Sequence, residues 1–258
     1  MKFQLWRNAT VLLNIDTATF LIDPMLGPKA SFGVFPWTND TRPNPLIDLP
    51  FPRSELKKQI SKIDAIVVTH LHPDHWDSDA ISLLDKNLPV IGPSIIADSL
   101  AGYGFTNIQS VDRSVKVKGI DITLTHGRHG IGEIEEKMGV VHGFYFSSGS
   151  ESIFFAGDTI WCDEVKSAIS IHQPKYVVVA GGAATFAIGD PVTMTARQIC
   201  KLCHTFPEVK VLVTHLEAVS PCTEDREFTG REIATAGISD RCIIPEDGEQ
   251  LVLFSEPV

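Results

Sequence analysis

The sequence predicts an α/β domain in which sheets lie between layers of helices, and three observations support this. Continuous apolar runs of strand length recur at residues 65–69, 153–157, 176–180 and 209–214, the pattern expected of strands covered on both faces. Helical stretches at residues 77–84, 163–171 and 195–206 intervene. No internal repeat, low-complexity tract or charged linker divides the 258 residues, so one compact domain over residues 1–258 is expected.

Composition is ordinarily globular, with 43% hydrophobic and 21% charged residues. A net charge of -10 disfavours nucleic-acid binding, which depends on clustered Lys and Arg neutralising phosphates. The first residues carry a charge at Arg7 and no apolar run of signal-peptide length, and nowhere do about 18 apolar residues run together. Neither export nor a membrane span is therefore expected. Five cysteines, an odd set without a small-scaffold framework, suit a reducing compartment and hence the cytoplasm.

Along the chain, β-branched and apolar runs at 10–15 and 19–22 flank Asp16-Thr17-Ala18 and read as an opening hairpin leading into Asp23-Pro24. Residues 27–53 hold six prolines together with Gly27, Gly33, Asn39 and Asn44, which makes a long loop. Such loops often act as lids, so Trp37, Phe32, Phe35 and Arg42 are candidates to face a substrate; the other reading is a loop pinned to the core by its aromatics. Residues 54–60 read as a short helix with Ser54 as its cap and Glu55 in its first turn. Further strands are expected at 120–124, 139–147 and 250–254.

Three of the buried runs end in a residue able to bind metal: His70, Asp158 and His215. The first opens Thr69-His70-Leu71-His72-Pro73-Asp74-His75, in which four ligand-type residues crowd six positions. Neutral imidazoles and a carboxylate suit zinc, iron or manganese, and the absence of thiolates argues against a structural zinc clamp. Pro73 and the preceding strand break helical spacing, so a folded-back loop could aim His70 and His72 at one ion and Asp74 and His75 at a second.

Together with Ala156-Gly157-Asp158-Thr159 and the late His215, this motif resembles the metallo-β-lactamase superfamily over essentially the whole chain. The resemblance implies an αββα four-layer sandwich and two divalent metal ions, zinc or manganese, with iron as an alternative. His70, His72 and His129 would hold one ion, Asp74, His75 and His215 the other, and Asp158 would bridge them. The opening hairpin, ending in Leu21-Ile22-Asp23-Pro24, is similar to the branch containing ascorbate-6-phosphate lactonases.

The later ligands have competitors. His126 lies three residues before His129, and His142 precedes a strand, where it packs or caps. Asp158 could be a turn-former and His215 a core histidine, while Glu217 is a possible extra ligand. His172 and His204 fall on helices, at the surface. Cys200-Lys-Leu-Cys203-His204 has the spacing of covalent haem attachment, but it lies within a helical pattern in which two small apolar residues share one face. Cys162 and Cys222 border the site loops.

The expected chemistry is hydrolysis of a small, anionic ester, lactone or phosphodiester. Two adjacent cations lower the pKa of a shared water and polarise the substrate oxygen, with Asp74 as the catalytic residue that orients the resulting hydroxide. Arg128, Arg42 or Lys29 could hold an anionic group, and Trp161 could wall the pocket. No G-x-S-x-G elbow suggests a serine route. The alternatives are a non-haem iron oxidoreductase on the same fold and a metal-dependent nuclease, the latter weakened by the acidic balance.

Overall fold

The computed structural model describes residues 1–149 and 151–253, and in it the chain builds two seven-stranded mixed sheets. The first contains β1 (Lys2–Arg7), β2 (Thr10–Ile15), β3 (Ala18–Ile22), β4 (Ala65–Val67), β5 (Val90–Pro93), β6 (Ile108–Val111) and β14 (Gln250–Val252), in the order β14-β1-β2-β3-β4-β5-β6. The second contains β7 (Ser114–Val117), β8 (Ile120–His126), β9 (His142–Ser148), β10 (Glu151–Phe155), β11 (Tyr176–Ala180), β12 (Lys210–Thr214) and β13 (Cys242–Ile243), in the order β13-β12-β11-β10-β9-β8-β7. β3 to β6 run parallel, as do β10 to β13, and the remaining pairs are antiparallel.

Strand periodicity explains the layering, because alternate side chains leave opposite faces. On β2, β3 and β4, Leu13, Phe20, Ile22 and Val67 enter the core between the sheets, while Leu12, Leu21 and Ile66, with Val68 just beyond β4, face outwards. The outward set packs under α1 (Arg53–Ile60), α2 (Ser78–Leu83) and α3 (Ala97–Gly102), through Leu56, Ala80 and Leu100. In the second sheet, Ile153, Phe155, Val178 and Leu212 face the shared core. Phe154, Val177, Val179, Val211 and Val213 pack under α5 (Asp163–His172), α6 (Ala196–Thr205) and α7 (Arg226–Thr235). The result is helix, sheet, sheet, helix, as the resemblance implies.

Several local features differ from the sequence reading. Ser54 lies inside α1, whose cap position is Pro52; the fixed φ of proline starts the helix without a side-chain cap. The run at 65–69 is strand only as far as Val67, after which the chain turns into the site. The strand expected at 139–147 begins at His142, because α4 (Glu133–Met138) ends at Gly139. The last expected strand covers Gln250–Val252, and Phe254 lies outside the described residues.

The long loop expected at 27–53 forms over residues 27–52, Arg53 being the first residue of α1, with only a single bridge between Phe32 and Asn44. Arg7, fully buried at the end of β1, donates to the carbonyls of Met25, Gly27 and Ile47 and so grips the loop near both ends. Burial draws its pKa down to about 10, although Asp77 opposes this. Asp77 caps α2 at the Ala80 amide and also accepts from the Gly27 amide, anchoring the start of the loop.

Phe146 is fully buried between the sheets, in edge contact with Phe20 and Phe155. Phe146→Ala should lower unfolding stability by about 3–5 kcal/mol. Denaturant titration checks this, and a loss under about 1 kcal/mol would show that the two sheets do not depend on this contact.

Candidate metal centre

All seven sequence-predicted ligands converge at one end of the sandwich, beyond the carboxyl ends of the parallel strands, where ligands of open α/β sheets commonly bind. They form two groups, His70 with His72 and His129, and Asp74 with His75, Asp158 and His215; the ligand atoms within each group lie within 4.8 Å of one another. Asp158 reaches toward both groups. Its Oδ1 is 3.1 Å from His75 Nε2, and its Oδ2 is 3.4 Å from His215 Nε2 and 3.9 Å from His129 Nε2. Asp74 Oδ2 stands 3.0 Å from His215 Nε2, and His70 Nε2 lies 3.0 Å from His72 Nδ1.

The local backbone is shaped for this convergence. Gly157, before Asp158, has φ +71°, and a Cβ there would meet the His142 carbonyl at 2.3 Å. Gly127 lets the His129 loop close on Thr159, whose hydroxyl accepts from the Arg128 amide at 2.9 Å. His215 adopts φ 63° without being glycine, and its amide donates to the Asn8 carbonyl. The Asn8 side chain donates to the Asp74 carbonyl, so the β1–β2 turn touches both the motif loop and His215.

Asp23 is the residue that sequence reasoning missed as functional. Its buried carboxylate accepts from the Thr69 amide and hydroxyl at 2.8 and 2.7 Å and lies 2.8 Å from His75 Nδ1. The Thr69 hydroxyl is in turn 3.0 Å from His70 Nδ1. One carboxylate therefore orients a histidine in each group, as outer hydrogen-bond partners of metal-binding imidazoles do. An aspartate ending a buried strand was the available signal, since Asp158 stands in the same position. His129 Nδ1 lies 3.0 Å from the Val192 carbonyl, His72 is bonded to the Met138 main chain, and Cys222 Sγ lies 3.5 Å from His215 Nδ1.

The electrostatics fit a bound cation. Two carboxylates and five imidazoles are packed at the site, with Asp74, Asp158, His70, His75, His129 and His215 all buried. Burial disfavours charge on His75, but Asp158, Asp23 and Asp74 outweigh it and push its pKa up to about 10. His215 is likewise raised against its burial, chiefly by Asp158. Burial would raise Asp74, yet His75 and His215 hold it down at about 2. In the other group burial lowers His70 and brings His129 down to about 4, which keeps them neutral, as metal binding requires. His75 Nε2 and Asp158 Oδ1 are fully buried and face each other at 3.1 Å with no other hydrogen-bond partner, a spacing that suits two ligand atoms of one cation. The donor set therefore fits two divalent ions with imidazole and carboxylate ligands.

His72, Asp74, His129, Asp158 and His215 floor a cavity of about 200 Å³ whose walls include Phe35, Pro36, Trp37, Met138, Phe186 and Val219. Of the residues suggested for substrate contact, Trp37 and Phe35 line it, and Phe32, Arg42, Arg128, Lys29 and Trp161 do not. Arg128 makes a two-point pair with Glu135 at 2.8 and 2.6 Å, and Arg42 pairs with Asp40 two residues before it. Trp161 is buried in the layer beneath α5 and α6, against Phe206, because the chain turns into α5 directly after it. Lys29 is exposed. Glu217 faces away from the ligands and is bound by Arg226 through its amide at 2.8 Å and its guanidinium at 2.6 Å. His126 is the exposed last residue of β8, and its cross-strand partner is His142.

Two measurements follow from this geometry. Asp23→Asn should weaken metal binding at both groups by about 10–100-fold, read by chelator competition; unchanged affinity would remove Asp23 from its orienting role. His142 is buried with an unpartnered Nδ1, and burial beside His126 lowers its pKa to about 4. A depressed histidine must shed its proton to fold, so stability should decline as pH falls from about 6.5 towards 4, where the unfolded chain binds the proton and the native state does not. His142→Gln should flatten that decline in urea titrations, and an unaltered slope would assign it to other groups.

The comparisons with known proteins agree with this geometry. The family model described as "Beta-lactamase superfamily domain" matches residues 18–216. "UPF0173 protein YddR" of Bacillus subtilis is 34% identical over 247 residues, covering 94% of this chain and 96% of that protein. A solved structure of "a possible metal-dependent hydrolase from Veillonella parvula" superposes with TM-score 0.93 at 29% identity, covering 98% and 99% of the two chains. That of "isothiocyanate hydrolase from Delia radicum gut bacteria" superposes with TM-score 0.91 at 28% identity, with the same coverage. A match over most of its length, and a relative of this identity along nearly all of it, show that this chain belongs to the β-lactamase superfamily domain family.

Proposed function

We propose that the protein is a binuclear metal-dependent hydrolase acting on a small substrate with an apolar body, such as an ester, a lactone or an isothiocyanate. The observation that carries this reading is the pair of ligand groups, with Asp158 reaching toward both, on the floor of an apolar-walled cavity. When bound, the two ions supply Lewis acidity, activating water near neutral pH and polarising the electrophilic carbon's heteroatom. Asp74, ionised on the cavity floor 3.0 Å from His215, would orient the attacking water. Phe35, Trp37, Met138 and Phe186 exclude bulk water and seat the apolar body. A cavity of about 200 Å³ is below the ~300–1,000 Å³ typical of drug-sized ligands, which restricts the substrate to a small molecule. The isothiocyanate option draws on the solved structure of similar fold and 28% identity, the lactone option on the branch that the opening hairpin resembles.

Elemental analysis of protein purified without chelators should find about two equivalents of zinc or manganese, reduced in His72→Ala and in Asp158→Ala. The loaded protein should hydrolyse at least one of phenethyl isothiocyanate, phenyl acetate and a simple lactone. Asp74→Asn should lower kcat by about 10²–10⁴-fold with the fold retained by circular dichroism. Iron in place of zinc or manganese would favour the oxidoreductase reading, and failure to take up any of the three metals would overturn the metal centre altogether.

A further inference from the structure

The cavity that the proposed hydrolase reading uses has one charged side chain away from its floor. Among its described lining residues, Lys137 is the only lysine or arginine. It stands in the last turn of α4, one residue before Met138, whose main chain bonds His72. Its Nζ lies 5.2 Å from the Trp37 ring centroid, so an ammonium from α4 and an aromatic face from the long loop meet at the cavity wall. The Lys137 side chain is 33% exposed, and its carboxylate partner Glu133 is 3.6 Å away and 73% exposed. An exposed pair of that kind is weak and is readily exchanged for another anion. Of the other cations considered for this role, Arg128 is engaged by Glu135 and Arg42 by Asp40, and Lys29 is exposed and does not line the cavity. The chain as a whole is acidic, so Lys137 is a local positive point in a negative field.

We infer that Lys137 is a specificity-determining residue: it recognises an anionic group at the distal end of the substrate while the apolar body lies along Trp37 and Phe186 and the reactive end meets the ligand-bearing floor. The inference rests on the hydrolase reading for the identity of the reactive end, but not for the recognition itself. It makes the substrate class amphipathic, with an apolar middle and a carboxylate or sulfonate at the end remote from the scissile bond. In a partly dehydrated site such an ion pair discriminates far better than it does in open water.

Binding of phenylpropanoate and phenylpropanol to the zinc-loaded protein tests this without requiring turnover. Trp6, Trp76 and Trp161 are buried and Trp37 is 45% exposed, so fluorescence quenching reports the cavity wall. The wild type should bind the carboxylate at least about tenfold more tightly than the alcohol. Lys137→Met should abolish that preference at unchanged metal content, and Lys137→Glu should favour phenylpropylamine instead. Equal binding of the two probes by the wild type would overturn the inference. So would a preference that survives Lys137→Met and disappears when the metal is removed, since the carboxylate would then be sitting on the ions. Absence of turnover on esters, lactones and isothiocyanates would count against the hydrolase reading and leave the binding comparison intact.

Discussion

The carboxylate of Asp23 is the contact on which the two ligand groups jointly depend. It ends β3, in the middle of the first sheet, and holds His75 directly and His70 by way of Thr69. A buried carboxylate is costly unless its lone pairs are satisfied. Three donors from the motif loop meet that need, so the charge and the loop fix one another. The opening hairpin is therefore both scaffold and site, because its strands carry the shared core on one face and its end carries the group that orients the histidines.

Mutual compensation of charge extends through the rest of the centre. Asp74 and Asp158 would be untenable in this interior alone, and without a cation His75 and His215 retain protons to balance them. His70 and His129 also feel Asp158, which His129 approaches at 3.9 Å, but there burial outweighs the carboxylate and pushes them the other way. The same interior thus presents one group of ligands already neutral and another whose protons a metal ion must displace. Metal binding here should release protons, more from the group of His75 and His215 than from that of His70 and His129.

The layered fold, and the convergence of His70, Asp158 and His215, were legible in the sequence because core strands are continuous apolar runs that stop at a polar residue. Burial on both faces leaves no other place for such a strand, and its end must lie where the polar side chain has partners. The resemblance supplied the pairing of His129 with the motif, which spacing alone left open against His126 and His142. Less was legible at the sheet margins. β6, β7 and β13 are two to four residues long and too short to stand out as strands, and β1 was read only for its charge at Arg7. Charged side chains proved the hardest to read. Arg42 and Arg128 resembled anion binders, yet each is matched by an acid in its own neighbourhood, Asp40 and Glu135. Lys137 went unnoticed because a lysine on an amphipathic turn looks like solvent decoration until the fold brings the long loop beside it.

The grip of Arg7 on the long loop separates two kinds of residue that most folds leave entangled. Its three carbonyl contacts secure residues 25, 27 and 47, and the side chains that wall the cavity, Phe35 to Trp37, lie between those anchor points. Whatever fills the span is carried on a frame set by the core, away from the metal ligands. The tip is thus an exchangeable cassette: lineages sharing this scaffold can diverge in the molecules they accept by rewriting roughly a dozen positions, without disturbing the machinery that performs the reaction.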